Sequence, residues 1–156
     1  MLFNKLSLTA AIAAAFALAA CGGAKDEKKT EGGAAGANVI KIASVSPLSG
    51  GTANAGKDNQ AGAQLAVEEV NAKGGVEVAG KKYMLELVSE DDGADPKQGT
   101  TVAQKIADDK SISAVIGHYN SGVTMAAQPI YAKAGLVAIT PSATNPDVTV
   151  KASKSE

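Results

Sequence analysis

Three short stretches gather the residues of this 156-residue chain that could do chemistry. Residues 46–56, 117–122 and 140–145 are rich in Ser, Thr, Gly and Asn, and none of them carries Lys or Arg. The donors on offer are therefore hydroxyls, backbone N–H groups and the positive end of a helix. That set suits a small carboxylate, because the first N–H groups of a helix lack partners and its dipole favours negative charge. Ser121 stands at an N-cap position before a helix-forming stretch, so its hydroxyl and the N–H groups after it can hold an anion. Thr144 and the Ser142 carbonyl can meet the ammonium of the same zwitterion. A plainer reading uses the same residues: Ser121 only caps its helix, and residues 142–146 only form a surface turn.

Other chemistries find no support. His118 follows a strand-like run, but it is the single His, the single Cys is at position 21, and there is no G-x-S-x-G nucleophile signature. It reads as a structural hydrogen-bonding residue beneath the pocket. Glu90-Asp91-Asp92 with Asp95 reads as a solvated strand end plus a helix cap rather than a metal site. Gly50-Gly51 and Gly74-Gly75 lack both the dinucleotide spacing and the phosphate-loop Lys, so no cofactor is expected. With 15 basic against 16 acidic residues and no Trp, nothing marks a nucleic-acid surface.

The elements that must position these stretches alternate. Residues 39–43 are short and β-branched, and a helix follows with Ala63, Ala66, Val67 and Val70 on one face. Lys73 and Gly74-Gly75 close it. Residues 83–88 form the next strand. Asp95-Pro96-Lys97-Gln98 then opens a helix, with Asp95 as N-cap, Pro96 as first helical residue and Gln98 as capping-box partner. Residues 114–116 and 136–139 are two further strands around a helix at 122–134. This order predicts an α/β fold, a Rossmann-like parallel sheet with flanking helices and right-handed crossovers. Ligands in such sheets sit beyond the carboxyl ends of the strands, where the three polar stretches fall. Nothing after Thr149 reads as a helix able to cover the fourth strand, so the chain reads as a partial domain.

The N-terminus sets the compartment. Lys5 precedes an uncharged apolar run at residues 6–18, which is too short for a membrane span and is laid out as a secretory signal. Leu18-Ala19-Ala20-Cys21 resembles the bacterial lipobox, which makes Cys21 the expected lipidation site after removal of residues 1–20. Residues 21–37 mix Gly, Ala and charges with no large apolar side chain, as a flexible tether does. Residues 38–156 remain for a partial N-terminal ligand-binding lobe. With Cys21 taken by the anchor, no disulfide is available.

Six motifs stand in register with a known family. They are Ile40-Lys41-Ile42-Ala43 with Pro47-Leu48-Ser49-Gly50, Val70-Asn71-Ala72-Lys73-Gly74-Gly75, Asp91-Asp92 with Asp95-Pro96-Lys97-Gln98, Val115-Ile116-Gly117-His118, Pro129-Ile130-Tyr131, and Thr140-Pro141-Ser142-Ala143-Thr144-Asn145-Pro146. From Val39 to Val148 the chain resembles the leucine/isoleucine/valine-binding proteins. The resemblance implies the N-terminal lobe of a type I periplasmic binding protein, two lobes of which close on an amino acid like a hinged clamp. It also implies delivery of that amino acid to an ABC permease in the inner membrane. By position it puts the carboxylate contact on Ser121, a backbone contact on Ser142 and a hydroxyl contact on Thr144, with Asn120 and Ala143 beside them in the candidate set.

Departures accompany the match. Where relatives often carry a disulfide near the pocket, this chain has Ala94 and Asn120, and a pocket aromatic is replaced by Ala55. These changes leave more room and add polarity, so a side-chain preference other than leucine is expected. Two rival readings use the same fold: the sensor domain of a receptor, which a lipobox argues against, and a truncated product that binds nothing. An exported hydrolase would need a nucleophile and base that the chain does not offer.

Overall fold

A computed structural model describes residues 38–152. The signal, the lipidation at Cys21 and the tether fall outside the described residues. The elements run β1 (Asn38–Ser46), α1 (Ala53–Ala72), β2 (Val76–Val78), β3 (Lys81–Asp91), α2 (Pro96–Asp108), β4 (Ile112–Ile116), α3 (Ser121–Ala134), β5 (Val137–Ile139) and α4 (Asp147–Ala152).

One sheet of order β2-β3-β1-β4-β5 holds the strands. The pairs β1–β3, β1–β4 and β4–β5 are parallel, so the expected Rossmann-like α/β architecture is present. β2 departs from it by pairing antiparallel to β3, with Val76 opposite Tyr83 and Val78 opposite Lys81. The sequence pattern predicts four strands and misses this one. Only three residues long, β2 is joined to β3 by a two-residue turn in which Ala79 and Gly80 both have positive φ, 51° and 75°. Ala seldom adopts that conformation, so Ala79-Gly80 gives a weak turn signal.

From β1 the chain steps outward to β3, then returns across β1 to β4 and β5. The switch of direction falls between β1 and β4, where doubly wound sheets open a crevice at their carboxyl ends. α1 packs on β1 and β3, whereas α2 and α3 pack against each other. The core lies on the α2–α3 side: Ala43 and Val45 of β1 and Val115 of β4 meet Val102, Ala103 and Ile106 of α2 and Ala127 and Tyr131 of α3. The α1 side is thinner. Of the expected face, Val67 is buried, Ala63 and Val70 are half-buried and Ala66 is exposed. Among the described residues α1 is the lone helix packed on this side, so the flanks of its apolar stripe meet water.

Local signals set most helix ends. Asp95 is the N-cap of α2, its carboxylate accepting from Gln98 N–H at 2.7 Å with Pro96 at the first turn. The capping box is incomplete, because the Gln98 side chain donates to the Asp91 carbonyl at 2.8 Å instead of returning to Asp95. Lys73 closes α1, and Gly135 closes α3 in the left-handed region, φ 69°. α4 runs to Ala152, past Thr149, where the sequence pattern offers no further helix. Asn145 starts it, its side-chain oxygen accepting from Asp147 N–H at 2.8 Å. Gln128 of α3 docks it by donating to the Val148 carbonyl, also at 2.8 Å.

Candidate functional site

The loops after β1, β4 and β5 stand at the carboxyl end of the sheet, and each is tied down by a different side chain. The loop after β1 is held from β3. Asp91 Oδ1 accepts from Leu48 N–H at 2.7 Å and from Gly93 N–H at 2.8 Å. Desolvation pushes the Asp91 carboxyl up, but hydrogen bonds from the Ser49 hydroxyl and from the N–H groups of Gly93, Leu48 and Ser49 outweigh it, leaving its pKa below the usual carboxylate value.

The loop after β4 hangs on His118, which is fully buried. Its Nδ1 lies 2.8 Å from Asp92 Oδ2 and its Nε2 lies 3.1 Å from the Tyr131 hydroxyl. One proton per bond is met when Nδ1–H donates to the carboxylate and the tyrosine O–H donates to Nε2. Burial, with the nearby charges of Asp92 and Glu90 adding to it, pushes the Tyr131 pKa up, so this hydroxyl keeps its proton. The expected role of His118 as a structural hydrogen-bonding residue agrees with these contacts.

α3 begins one residue earlier than the sequence suggests. Asn120, not Ser121, is the N-cap, and its side chain makes no capping bond. The first intrahelical bond runs from Thr124 N–H to the Asn120 carbonyl at 2.9 Å. Ser121, Gly122 and Val123 thus carry the N–H groups that precede the helical ladder. The misplacement has a local cause: Asn and Ser are both strong N-cap residues and stand side by side here. Asn120 Oδ1 is buried without a partner among the described residues.

The loop after β5 is stitched to the β4 loop. The Thr140 hydroxyl donates to the His118 carbonyl at 2.7 Å and accepts from Ala143 N–H at 3.0 Å. The Ser142 hydroxyl donates to the Tyr119 carbonyl at 2.7 Å, and Asn145 N–H donates to Ser121 Oγ at 3.3 Å. The structure therefore brings Asn120, Ser121, Ser142, Ala143 and the Thr144 segment together across two loops. Ser142 has spent its hydroxyl inside the protein, which leaves its carbonyl for any ligand. Ser121 accepts through its oxygen and has no acceptor for its own proton among the described residues. Thr144 is exposed.

Residue types and spacing assign no role to Thr140, Thr124 or Tyr131, and the solvated strand end expected at Glu90-Asp91-Asp92 fails at Asp92, which is fully buried against His118. The one available signal is Thr140 three residues before Ala143, a spacing at which a hydroxyl can bond back to the chain. A groove of about 520 Å³ between α2 and α3 and a cavity of about 160 Å³ beneath α4 are both lined without Ser121, Ser142 or Thr144. Among the described residues there is no cluster of three or more metal-ligating side chains, and no helix is long and apolar enough to cross a membrane.

A Rossmann-like sheet with hydroxyl-rich loops stitched together at its carboxyl end is the lobe architecture of type I periplasmic binding proteins. A protein of that type from Bordetella pertussis superimposes with a TM-score of 0.64 at 33% identity, covering 73% of this chain and 30% of that one. Residues 39–153 match the periplasmic binding protein family, and the chain belongs to it.

Its relatives include the Leu/Ile/Val-binding protein of Escherichia coli, 44% identical over 115 residues, 74% of this chain and 30% of the relative. Leu/Ile/Val-binding protein homolog 1 of Brucella abortus is 44% identical over 118 residues, 76% of this chain and 30% of the relative. Among solved structures, the branched-chain amino acid transporter substrate-binding protein LivJ of Streptococcus pneumoniae, in complex with isoleucine, matches with a TM-score of 0.66 at 38% identity. That match covers 73% of this chain and 32% of the other. The chain spans about a third of the length of the relatives it matches.

Proposed function

We propose that this chain is the N-terminal lobe of the substrate-binding protein of an ABC importer, holding a branched-chain or related amino acid by its charged ends. The carrying observation is the head of α3. There the Ser121 hydroxyl has its oxygen engaged by Asn145 N–H and its proton free to donate, beside N–H groups that no side chain caps. A carboxylate is the natural acceptor for such a set. The Ser142 carbonyl and the Thr144 hydroxyl, on the loop stitched alongside, suit the ammonium three atoms away in an α-amino acid. Relatives named for leucine, isoleucine and valine, and a neighbour holding isoleucine, support the amino-acid class.

In this reading the protein is not an enzyme. It is exported to the periplasm or cell surface, anchored through a lipid on Cys21, and partnered by an ABC permease. A second lobe supplies the other wall of the site. One lobe encloses a ligand incompletely, so the 156-residue chain binds weakly on its own. Ala55, Ala94 and Asn120 shift the side-chain preference away from leucine.

The test is a millimolar titration of the isotope-labelled chain, read by NMR, with leucine, valine and threonine and with two blocked analogues, N-acetyl-leucine and isopentylamine. Shifts confined to Ser121, Gly122, Ser142 and Thr144, and requiring both charged ends, are expected. Equal response to an analogue lacking either charge, or shifts elsewhere, refutes the site.

A further inference from the structure

We propose that the Thr140 hydroxyl is a positioning latch, setting the Ser121 loop and the Thr144 loop at a fixed separation before any ligand arrives. The proposal rests on the zwitterion reading of that site and assigns a role to a residue outside the ligand contacts. A threonine hydroxyl has one proton and two acceptor positions. Here the proton goes to the His118 carbonyl at 2.7 Å, so Ala143 N–H, at 3.0 Å, occupies an acceptor position. One oxygen atom thereby joins two loops whose residues lie 22 apart in sequence.

The point it grips does not move easily. His118 is buried and held through both ring nitrogens, and its carbonyl shares the Thr124 hydroxyl proton with the Asn120 carbonyl, at 3.1 and 3.0 Å. The element Thr140 extends is weaker. β5 has three residues, all exposed, with Val137 at 64% and Ile139 at 66%. Backbone pairing with β4 fixes the direction of β5, but packing does little to hold the loop beyond it. The side-chain bond at Thr140 is the first restraint after the strand ends. The Ser142–Tyr119 and Asn145–Ser121 bonds lie downstream and require the register it sets.

Two lesser roles make different predictions. If Thr140 only closes a local turn, its loss affects the N–H groups of Ser142 and Ala143 and nothing further. If it only adds to global stability, its loss loosens the core as well. The latch predicts a change at Asn145, which Thr140 does not touch, without change at Ile106 in α2.

The experiment is amide hydrogen exchange on the 156-residue chain, wild type against Thr140→Val and Thr140→Ser, followed by the leucine titration. Thr140→Val keeps the shape and removes the hydroxyl; Thr140→Ala serves in the same comparison if the valine variant does not fold. Exchange at Asn145 should quicken about fivefold or more, as the loss of one net hydrogen bond would give. Ile106 should be unaffected, and serine should restore the wild-type rate. The leucine concentration needed to shift Ser121 and Gly122 should rise by a similar factor in the valine variant alone. Unchanged exchange at Asn145, uniform acceleration that includes Ile106, or failure of serine to rescue would overturn the latch. Wild-type Ser121 and Gly122 resonances that ignore leucine, valine and threonine alike would defeat the zwitterion reading instead, and the exchange at Asn145 would still decide the latch.

Discussion

Asp92 and His118 meet at 2.8 Å with side-chain exposures of 0% and 1%, joining the turn after β3 to the loop that carries Ser121. The other Asp92 oxygen accepts from Ala94 N–H at 2.9 Å, so one carboxylate organises both segments. No cysteine stands in either segment, and Asp92 and His118 make the link through hydrogen bonds.

That pair sets a stability prediction. His118→Ala leaves a buried carboxylate oxygen without its donor and opens space beside Tyr131, and should cost about 3 kcal/mol. Asp92→Asn keeps one oxygen for Ala94 N–H and can turn its amide N–H to Nδ1 of the other imidazole tautomer, so it should cost about 1 kcal/mol. Urea midpoints at neutral pH would compare them; equal losses would contradict the assigned hydrogen-bond roles.

Close helix packing sets the next. A methyl group on Gly99 of α2 would run into Val123 Cγ1 of α3. Ala gains up to about 1 kcal/mol over Gly in a helix interior, whereas overpacking costs about 1–3 kcal/mol. Gly99→Ala should therefore destabilise, and adding Val123→Ala should recover part of the loss. The check is a double-mutant cycle by thermal denaturation, with strictly additive losses as the contrary outcome.

Asp91 makes the fold acid-sensitive at the loop after β1. Its folded-state pKa lies below its ordinary value of 3.8, so its contribution is complete above that value and fades as pH falls through the folded pKa. Asp91→Asn should flatten the stability profile below about pH 4 while leaving its neutral-side slope unchanged. A profile that superimposes on the wild type throughout the acid range would rule this out.

Ser121→Ala should weaken amino-acid binding about tenfold or more, since a hydrogen bond to a charged group is worth about 1.5–3 kcal/mol. Ser142→Ala keeps the carbonyl and loses the bond to Tyr119, so its effect should be smaller. Shift titrations rank the two; the reverse order would move the carboxylate contact away from Ser121. Micromolar or tighter binding by the unmodified chain would overturn the expectation that one lobe binds weakly.

Cys21→Ser should move the expressed protein from the membrane to the soluble fraction and abolish incorporation of labelled fatty acid. Retention at the membrane without label would point to some other attachment.

What the sequence determined by itself is what short range decides. Asp95 and Pro96 start α2, Lys73 and Gly74 end α1, and strand–helix alternation dictates the parallel sheet, because capping, backbone preference and periodicity act within a turn or two. Residue types likewise settled the inventory of the site, with hydroxyls and N–H groups but no cation, nucleophile or metal set in the three polar loops. The tertiary structure decided the partners. Ser142 points its hydroxyl at Tyr119, Asn120 displaces Ser121 as the cap of α3, and Thr140 and Asp92 reach residues 22 and 26 positions away. Such bonds depend on where separate strands end in space, and a hydroxyl or carboxylate offers the same donor or acceptor to any loop the fold brings near. Thr140 was therefore visible only as one hydroxyl in a polar stretch and became a bridge when the ends of β4 and β5 stood side by side.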